Sequence, residues 1–440
     1  MSALPAGTTS VTEVVPRRVS SPAFVGRADE LAMLESAPAR APTLALVAGE
    51  PGVGKSRLVS EFAARAGIPV LVGHCFELGG SALPYAPLVD ALRPLGESVP
   101  DAVSQAQVFE ALLALFDRLG PLALVIEDLH WADASTREFL GFLVGNARTE
   151  PLFVLATYRS DDLHRRHPLR PVLAELERAP RVERIALERF TRAEVTEQLT
   201  GILDGEPDPD LADRLYARSQ GNALYTEELL AASSDGRGEL PATLRDAVLG
   251  RFERLPAAAQ DVVRVAAVIE RPVGHDLLEA VLTGEVTEGA REAVARHVLV
   301  THPDGTYAFR HALVGEAICE GLLPGERTAL HAALGRALEA DPGAAAAELA
   351  CHWQGAHDLP RALGASVAAG VEARRLCAHG EALRHFESAL ALWDRVPDAA
   401  ERAGMPRSDV LRAAAAAADA CFQSSRAAAL LRRGLAGRLE

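Results

Sequence analysis

Apolar residues in the first part of the chain come in short runs that alternate with longer amphipathic stretches. Residues 43–48 form an apolar run that leads into a glycine-rich loop, and residues 56–66 after it have helical periodicity. Further apolar runs at 70–72, 122–126 and 152–156 are separated by predicted helices. Short buried strands that alternate with helices are typical of a parallel sheet covered on both faces. The pattern therefore predicts a three-layer α/β domain.

Strand signals nearly vanish after residue 186, and helical patterns replace them. Residues 211–219 and 225–232 are predicted helices, and residues 233–238 are a predicted linker. One hairpin is predicted from residues 298–301 and 307–310, because the intervening proline, aspartate and glycine at 303–305 favour a chain reversal. From about residue 336 the chain is alanine-rich and helical.

Within this last part, small and aromatic residues have the spacing of a tetratricopeptide helix pair. The matching positions are Gly370, Ala382, Phe386 and Ala389. A weaker match follows at Ala427 and Leu431. The pattern favours a helical solenoid, and ordinary helical packing is the alternative.

Composition narrows the classes of function. The net charge of −15 makes the chain a poor candidate for direct DNA binding, which depends on basic residues that neutralise phosphates. Five cysteines are scattered without a C-x-x-C pair, as expected for reduced thiols in the cytosol. No apolar run has the length of a membrane span or a signal peptide. We therefore expect a cytoplasmic protein without a membrane partner.

A glycine-rich loop at residues 49–56 contains the single lysine of the chain, Lys55, whereas the other 44 of its 45 basic residues are arginines. The loop has the phosphate-binding pattern G-x-x-x-x-G-K-S between a strand and a helix. A compact ammonium group can fold over the β- and γ-phosphates of a nucleotide, while a guanidinium is too bulky there. A chance match in a glycine-rich turn is the alternative.

In this interpretation backbone N–H groups of residues 52–56 surround the phosphates. Lys55 neutralises the β- and γ-oxygens, and the Ser56 hydroxyl ligates Mg²⁺. The residues of this segment that we predict to contact ATP or ADP are Gly49, Gly52, Val53, Gly54, Lys55, Ser56 and Arg57.

An acidic pair, Glu127 and Asp128, follows the apolar run at 122–126. One carboxylate would hold Mg²⁺ through its water shell, and the other would orient or deprotonate the attacking water. We assign Glu127 to the metal and Asp128 to the water, and the reverse order stays open. Arg159 follows the next strand and could reach a γ-phosphate. The alternatives are a solvated acidic pair and a surface arginine.

Seven segments resemble, in the same order, those of the signal transduction ATPases with numerous domains. Among these the chain is most similar to the large ATP-binding regulators of the LuxR family of the actinobacterial type, with an AAA ATPase domain. The segments are residues 24–31, 49–56, 127–133, 157–162, 218–223, 240–245 and 309–313.

The resemblance implies further site residues. Val25, Gly26 and Arg27 correspond to the segment that lies against the adenine. Arg159 matches the arginine that senses the γ-phosphate. His311 corresponds to a histidine of a winged-helix domain that contacts the nucleotide phosphate in the closed, ADP-bound form.

The resemblance also implies a helical lid, in which Gly221 and Ala223 fall where the family has Gly-x-Pro. Ala223 lacks the apolar contact that proline makes with the base, and we expect a lower nucleotide affinity. Related regulators are about twice as long and end in a DNA-binding helix-turn-helix. No such segment is found here, so we expect a fragment, a truncated form or a variant that does not bind DNA itself.

The predicted fold is an α/β P-loop NTPase followed by an all-α lid, a winged-helix domain and tetratricopeptide-like helical repeats. The predicted segments are a flexible tail at 1–20, the P-loop domain at 21–185, the lid at 186–238, the winged-helix domain at 239–335 and the helical region at 336–440.

Three functions are consistent with these features. The first is a regulatory switch that is closed with ADP, opens with ATP and an inducer, and hydrolyses ATP slowly to reset. An inducer or protein partner would then bind the helical C-terminal region, and self-assembly would follow ATP binding. The second is a multiple-turnover ATPase that remodels a macromolecule, which would need an arginine supplied by a neighbouring subunit. The third is a truncated nucleotide-binding scaffold. We favour the switch.

Overall fold

The computed structural model describes residues 21–76, 83–233 and 243–436. The predicted tail at 1–20 and most of the linker predicted at 233–238 lie outside these described residues. The fold consists of two units. Of the described residues, those within 29–51, 55–187 and 255–436 form the larger unit, and those within 21–28, 52–54 and 188–254 form the smaller unit.

A five-stranded parallel sheet lies at the centre of the larger unit. Its strands are β1 (Thr43–Gly49), β2 (Val70–His74), β3 (Leu122–Glu127), β4 (Leu152–Arg159) and β5 (Val182–Ala186), in the spatial order β2-β3-β4-β1-β5. Every residue of β1, β3 and β4 is buried. Burial on both faces is what a helix-covered parallel sheet requires. The predicted parallel sheet is confirmed.

Strand β5 has no counterpart among the predicted strands. It lies at the edge of the sheet, and only Ile185 is fully buried while the neighbouring Glu183 and Arg184 are polar. Strand β4 also extends to Arg159, three residues beyond the predicted apolar run. The last three residues of β4 are polar or amphipathic although they are buried, so neither this extension nor the edge strand has a continuous apolar run.

Helices connect these strands and cover the sheet. They are α1 (Ala28–Ser36), α2 (Lys55–Arg65), α3 (Ala86–Leu92), α4 (Gln105–Leu119), α5 (Ala134–Asn146) and α6 (Leu169–Leu176). Phe62 of α2 packs edge-on against Phe153 of β4 with 5.5 Å between ring centroids. The Asp133 side chain accepts a hydrogen bond from the N–H of Thr136 and caps α5.

The smaller unit is helical in its described part. Its helices are α7 (Arg192–Leu203), α8 (Pro209–Ser219), α9 (Ala223–Ser233) and α10 (Leu244–Glu253). Thr191 and Glu194 form a reciprocal capping box that begins α7. The helices predicted at 211–219 and 225–232 are confirmed as parts of α8 and α9.

The chain then continues in the larger unit with helices and one hairpin. The elements are α11 (Ala257–Ile269), α12 (His275–Val281), α13 (Val286–Ala295), β6 (Leu299–Thr301), β7 (Tyr307–Phe309), α14 (Ala312–Gly321) and α15 (Pro324–Glu339). Strands β6 and β7 pair antiparallel, with Val300 opposite Ala308. The predicted hairpin is confirmed, and each strand is one residue shorter than predicted.

All remaining elements are helices in the described part of the chain. They are α16 (Ala346–Gly355), α17 (Leu359–Arg375), α18 (His379–Leu392), α19 (Ala399–Ala403), α20 (Arg407–Ala420) and α21 (Ser424–Ala436). Gly370 and Phe386 pack so closely that a Cβ atom on Gly370 would lie 2.6 Å from the Phe386 ring. One buried apolar cluster joins these helices to the sheet and to α5. No helix among the described residues is long and apolar enough to cross a membrane.

Candidate functional site

The strand order brings three predicted site segments to one edge of the sheet. Strand β1 ends beside the end of β4, where Gly49 is in register with Arg159. On the other side of β4 lies β3, which ends at Glu127. Since all three strands are parallel, their carboxyl ends point the same way. The glycine-rich loop, the acidic pair and Arg159 therefore begin at the same edge.

Lys55 is the first residue of α2, and its side chain is folded over its own loop. Its Nζ donates hydrogen bonds to the carbonyl oxygens of Gly49 and Glu50, each at 3.0 Å. Burial lowers the pKa of the Lys55 amine; Asp128 opposes this effect and Arg159 adds to it. A buried ammonium group that is held by carbonyl dipoles remains suited to an anion such as a phosphate.

Ser56 and Glu127 bring two oxygen donors together. The Ser56 hydroxyl donates a hydrogen bond of 2.6 Å to Oε2 of Glu127. Burial raises the pKa of Glu127, while His74 on the neighbouring strand and the bond from Ser56 lower it. Hydroxyl and carboxylate oxygens suit Mg²⁺, which prefers oxygen ligands and keeps several waters when it is bound with nucleotide phosphates. The pair fits the metal assigned to it from the sequence.

The surroundings of Asp128 differ from those of Glu127. Its backbone is left-handed, with φ of 58°, and its N–H donates to Oγ1 of Thr157 at 3.0 Å. Its side chain keeps 29% of its surface exposed, whereas Glu127 is buried against Ser56. Burial raises the pKa of Asp128, and Arg159 and Lys55 oppose the shift. The Asp128 carboxylate therefore reaches solvent while two cations act on it.

Arg159 is buried and already paired with a carboxylate. Its two terminal nitrogens donate to the two carboxylate oxygens of Glu316, with Nη1 2.9 Å from Oε2. Nη1 also lies 3.5 Å from the Asp162 carboxylate. The N–H of Arg159 donates to Nδ1 of His130 at 3.4 Å. Burial lowers the pKa of His130 to about 3, so this imidazole is neutral at physiological pH and its Nδ1 can accept.

The sequence analysis identified neither Glu316 nor His130 as site residues. Glu316 lies in α14, 157 residues after its partner. No local sequence pattern distinguishes Glu316 from other glutamates on partly exposed helices. The predicted site residue His311 immediately precedes the same helix.

The smaller unit brings together the other predicted residues. Arg27 lies over the Phe190 ring at 5.0 Å and donates to the Val53 carbonyl at 3.5 Å. The N–H of Leu224 donates to the Gly52 carbonyl at 3.1 Å. Segments 25–27, 52–54 and 221–224 thus meet within this unit.

Two glycines of this unit hold conformations that other residues would strain. Gly221 has φ of 79°, and a Cβ atom there would lie 2.0 Å from the Phe190 carbonyl oxygen. Gly26 has φ of 63°, and its Cβ would lie 2.3 Å from the Glu194 carboxylate. Ala223 accepts a hydrogen bond at its carbonyl from the Gln198 side chain at 3.1 Å. Val25 is buried in the apolar core of the unit, and Arg57 is exposed on α2.

Residues 23–155 match the AAA ATPase domain family. Over 427 residues the chain is 26% identical to an uncharacterized protein of Rhizobium meliloti (strain 1021), a match that covers 80% of this chain. The chain spans 40% of the length of that relative.

The fold is similar to the crystal structure of a signal transduction ATPase with numerous domains from Pyrococcus horikoshii, which has a tetratricopeptide repeat sensor. The TM-score is 0.54 at 14% identity, over 95% of this chain and 65% of that one. A Walker-type ATPase of Pyrococcus abyssi gives a TM-score of 0.37 at 15% identity, over 67% of this chain and 96% of that one. The chain therefore carries an AAA ATPase domain and shares a fold with the first of these structures.

Proposed function

We propose that this protein is an ATP-dependent signalling switch that binds ATP or ADP with Mg²⁺ and hydrolyses ATP slowly to reset. The main observation in support of this proposal is the position and the contacts of Lys55. Its buried ammonium group lies at the carboxyl edge of the sheet, beside the Ser56–Glu127 pair and the buried Arg159. This combination supplies a cation for phosphate oxygens, ligands for Mg²⁺ and a second cation on the neighbouring strand.

Each residue has a role in this proposal. Lys55 neutralises the β- and γ-phosphate oxygens, and Ser56 and Glu127 hold Mg²⁺. Bound Mg²⁺ would supply charge neutralisation between the β- and γ-phosphates. Asp128 orients the attacking water, and Arg159 contacts the γ-phosphate. Val25, Gly26, Arg27, Gly221, Ala223 and His311 remain proposed nucleotide contacts on the basis of the family resemblance.

The contacts of the two cations favour a switch over an enzyme of rapid turnover. Lys55 is folded onto its own loop and Arg159 is paired with Glu316, so both must change partners before they can act on a phosphate. Such exchanges are points at which the bound nucleotide can change the contacts of the site, as a switch requires. We further propose that the protein belongs to a LuxR-type transcriptional regulator, that the helical region binds an inducer or protein partner, and that ATP promotes self-assembly.

Identification of the bound nucleotide tests the proposal. The chain is purified with Mg²⁺ and denatured, and the released nucleotide is identified by chromatography. We expect near-stoichiometric ADP from the wild type. For Lys55→Ala we expect nucleotide binding about 10- to 100-fold weaker, since a buried hydrogen bond between two charged groups is lost. Arg65→Ala removes an equal charge from the far end of α2 and is expected to bind as the wild type does.

Two outcomes would contradict the switch. A wild-type protein that carries no nucleotide and does not bind added ATP would show that the loop is not a functional site. A protein that carries no nucleotide but hydrolyses added ATP rapidly, at a rate that rises with protein concentration, would favour the turnover ATPase.

A further inference from the structure

We propose that Glu316 determines the preference of this site for ADP over ATP, because its carboxylate occupies the guanidinium group that a γ-phosphate would bind. The inference rests on the proposed function and assigns the discrimination between ADP and ATP to one residue. ADP leaves the Arg159–Glu316 pair intact. ATP must displace Glu316 before Arg159 can contact the third phosphate.

The geometry of the pair supports direct competition. Each terminal nitrogen of Arg159 donates to a different oxygen of Glu316. A carboxylate and a phosphate present paired oxygens to a guanidinium in a similar way, so both compete for the same edge. Arg159 is only 7% exposed at its side chain, which limits the directions from which a second anion can approach.

Charge strengthens this competition. Four carboxylates, of Glu127, Asp128, Asp162 and Glu316, lie around the two cations Lys55 and Arg159. Glu316 also raises the pKa of Asp128, although burial is the larger cause. A γ-phosphate adds negative charge to a group of residues that already has more anions than cations. Removal of the Glu316 charge should therefore favour ATP more than ADP.

The helix that carries Glu316 is firmly packed, whereas the carboxylate itself is not. A Cβ atom on Gly315 would lie 2.7 Å from the Phe309 ring, so α14 packs directly on β7. Val314 and Ile318 are buried. The Glu316 side chain keeps 40% of its surface exposed. Its carboxylate can therefore move into solvent without disruption of the core beneath α14.

The test compares dissociation constants for ADP and for the non-hydrolysable β,γ-imido analogue of ATP, both with Mg²⁺, by titration calorimetry. For Glu316→Gln we expect the ratio of the affinity for the analogue to the affinity for ADP to rise about tenfold. This change is near the lower end of typical coupling energies, because the Glu316 side chain is partly exposed. Glu320→Gln, an exposed position on the same helix, removes the same charge and should leave the ratio unchanged.

A double variant shows whether the effect passes through Arg159. In an Arg159→Gln background, Glu316→Gln should change the ratio much less, because the competition for the guanidinium group is gone and only the general charge repulsion remains. Glu316→Asp keeps the charge but shortens the side chain, and we expect an intermediate ratio. Circular dichroism verifies that each variant folds. If Glu316→Gln does not fold, the affinity ratio of Glu316→Asp is compared with that of the wild type instead.

Three results would overturn the inference. They are an unchanged ratio in Glu316→Gln, an equal shift of both nucleotides, or a shift of undiminished size without Arg159. A wild type that binds neither nucleotide would overturn the proposed function and the inference together, so the two failures are distinguishable.

Discussion

Replacement of Glu381 by alanine should destabilise the larger unit, because this carboxylate connects the C-terminal helices to α5. Glu381 is fully buried on α18. Its Oε1 accepts the N–H of Ala134 at 2.7 Å, and its Oε2 accepts the Ser135 hydroxyl at 2.7 Å. Both donors belong to the first turn of α5, where the backbone N–H groups have no acceptor within the helix. The glutamate thus caps a helix whose first residue lies 247 positions earlier in the chain.

The magnitude follows from these two bonds. Hydrogen bonds to a charged group contribute about 1.5–3 kcal/mol each, and buried donors left without an acceptor are costly. The loss is reduced because Glu381 repels the neighbouring buried Asp133, which caps the same helix. We expect Glu381→Ala to lower the free energy of unfolding by about 3 to 4 kcal/mol. Glu381→Gln should cost only about 1 kcal/mol, since its oxygen can accept from Ala134 and its amide can donate to Ser135.

The pH dependence gives a sharper test. Burial and the charge of Glu381 raise the pKa of Asp133 from 3.8 to about 6. A raised carboxyl pKa stabilises the folded state at low pH, and this contribution is lost as the pH rises through about 6. At pH 7.5 Asp133 of the wild type is charged, and Glu381→Gln removes the repulsion that Glu381 exerts on it. Glu381→Gln should therefore be less destabilising at pH 7.5 than at pH 5.

Urea unfolding followed by tryptophan fluorescence measures these differences, since Trp131 lies three residues before α5. Ser135→Ala is the control that removes one partner of Glu381. Its effect and that of Glu381→Ala should be less than additive, because both remove the same hydrogen bond. Equal destabilisation of Glu381→Gln at the two pH values, or strict additivity with Ser135→Ala, would refute the reasoning.

Two further substitutions test the site and the helical region. Asp128→Asn should slow ATP hydrolysis about 100-fold, because it removes the proposed water-orienting carboxylate, and should not weaken ATP binding; Asp161→Asn is the matched control, and an unchanged rate would contradict the assignment. Gly370→Ala should lower the free energy of unfolding by about 1–3 kcal/mol, since the new Cβ would overlap the Phe386 ring. Gly325→Ala meets no atom within 4 Å and should not destabilise, so equal thermal midpoints for the two variants would contradict the packing argument.

Elements with a strong local pattern could be predicted from the sequence. Strands β1, β3 and β4 are apolar over most of their length because they are buried on both faces, and the hairpin of β6 and β7 is marked by its turn residues. Strand β5, at the edge of the sheet, was not predicted because Glu183 and Arg184 interrupt its apolar residues.

The long-range pairs could not be predicted, for a different reason. Local patterns indicate which residues are buried, but they do not identify the partner of a buried charge. Glu316 and Glu381 look like ordinary helix-surface residues in the sequence. Only the fold brings them to Arg159 and to the start of α5.

These two carboxylates act on the same edge of the sheet from different helices. Glu316 of α14 holds Arg159 at the end of β4, while Glu381 of α18 holds the turn that begins α5, six residues after Asp128. Strands β3 and β4 are adjacent, so both contacts border the segment that contains the acidic pair. Displacement of α14 would change the charges around Asp128, and displacement of α18 would remove two hydrogen bonds at the start of α5. In the proposed switch, a signal from the helical region would reach the acidic pair through these ion pairs and hydrogen bonds.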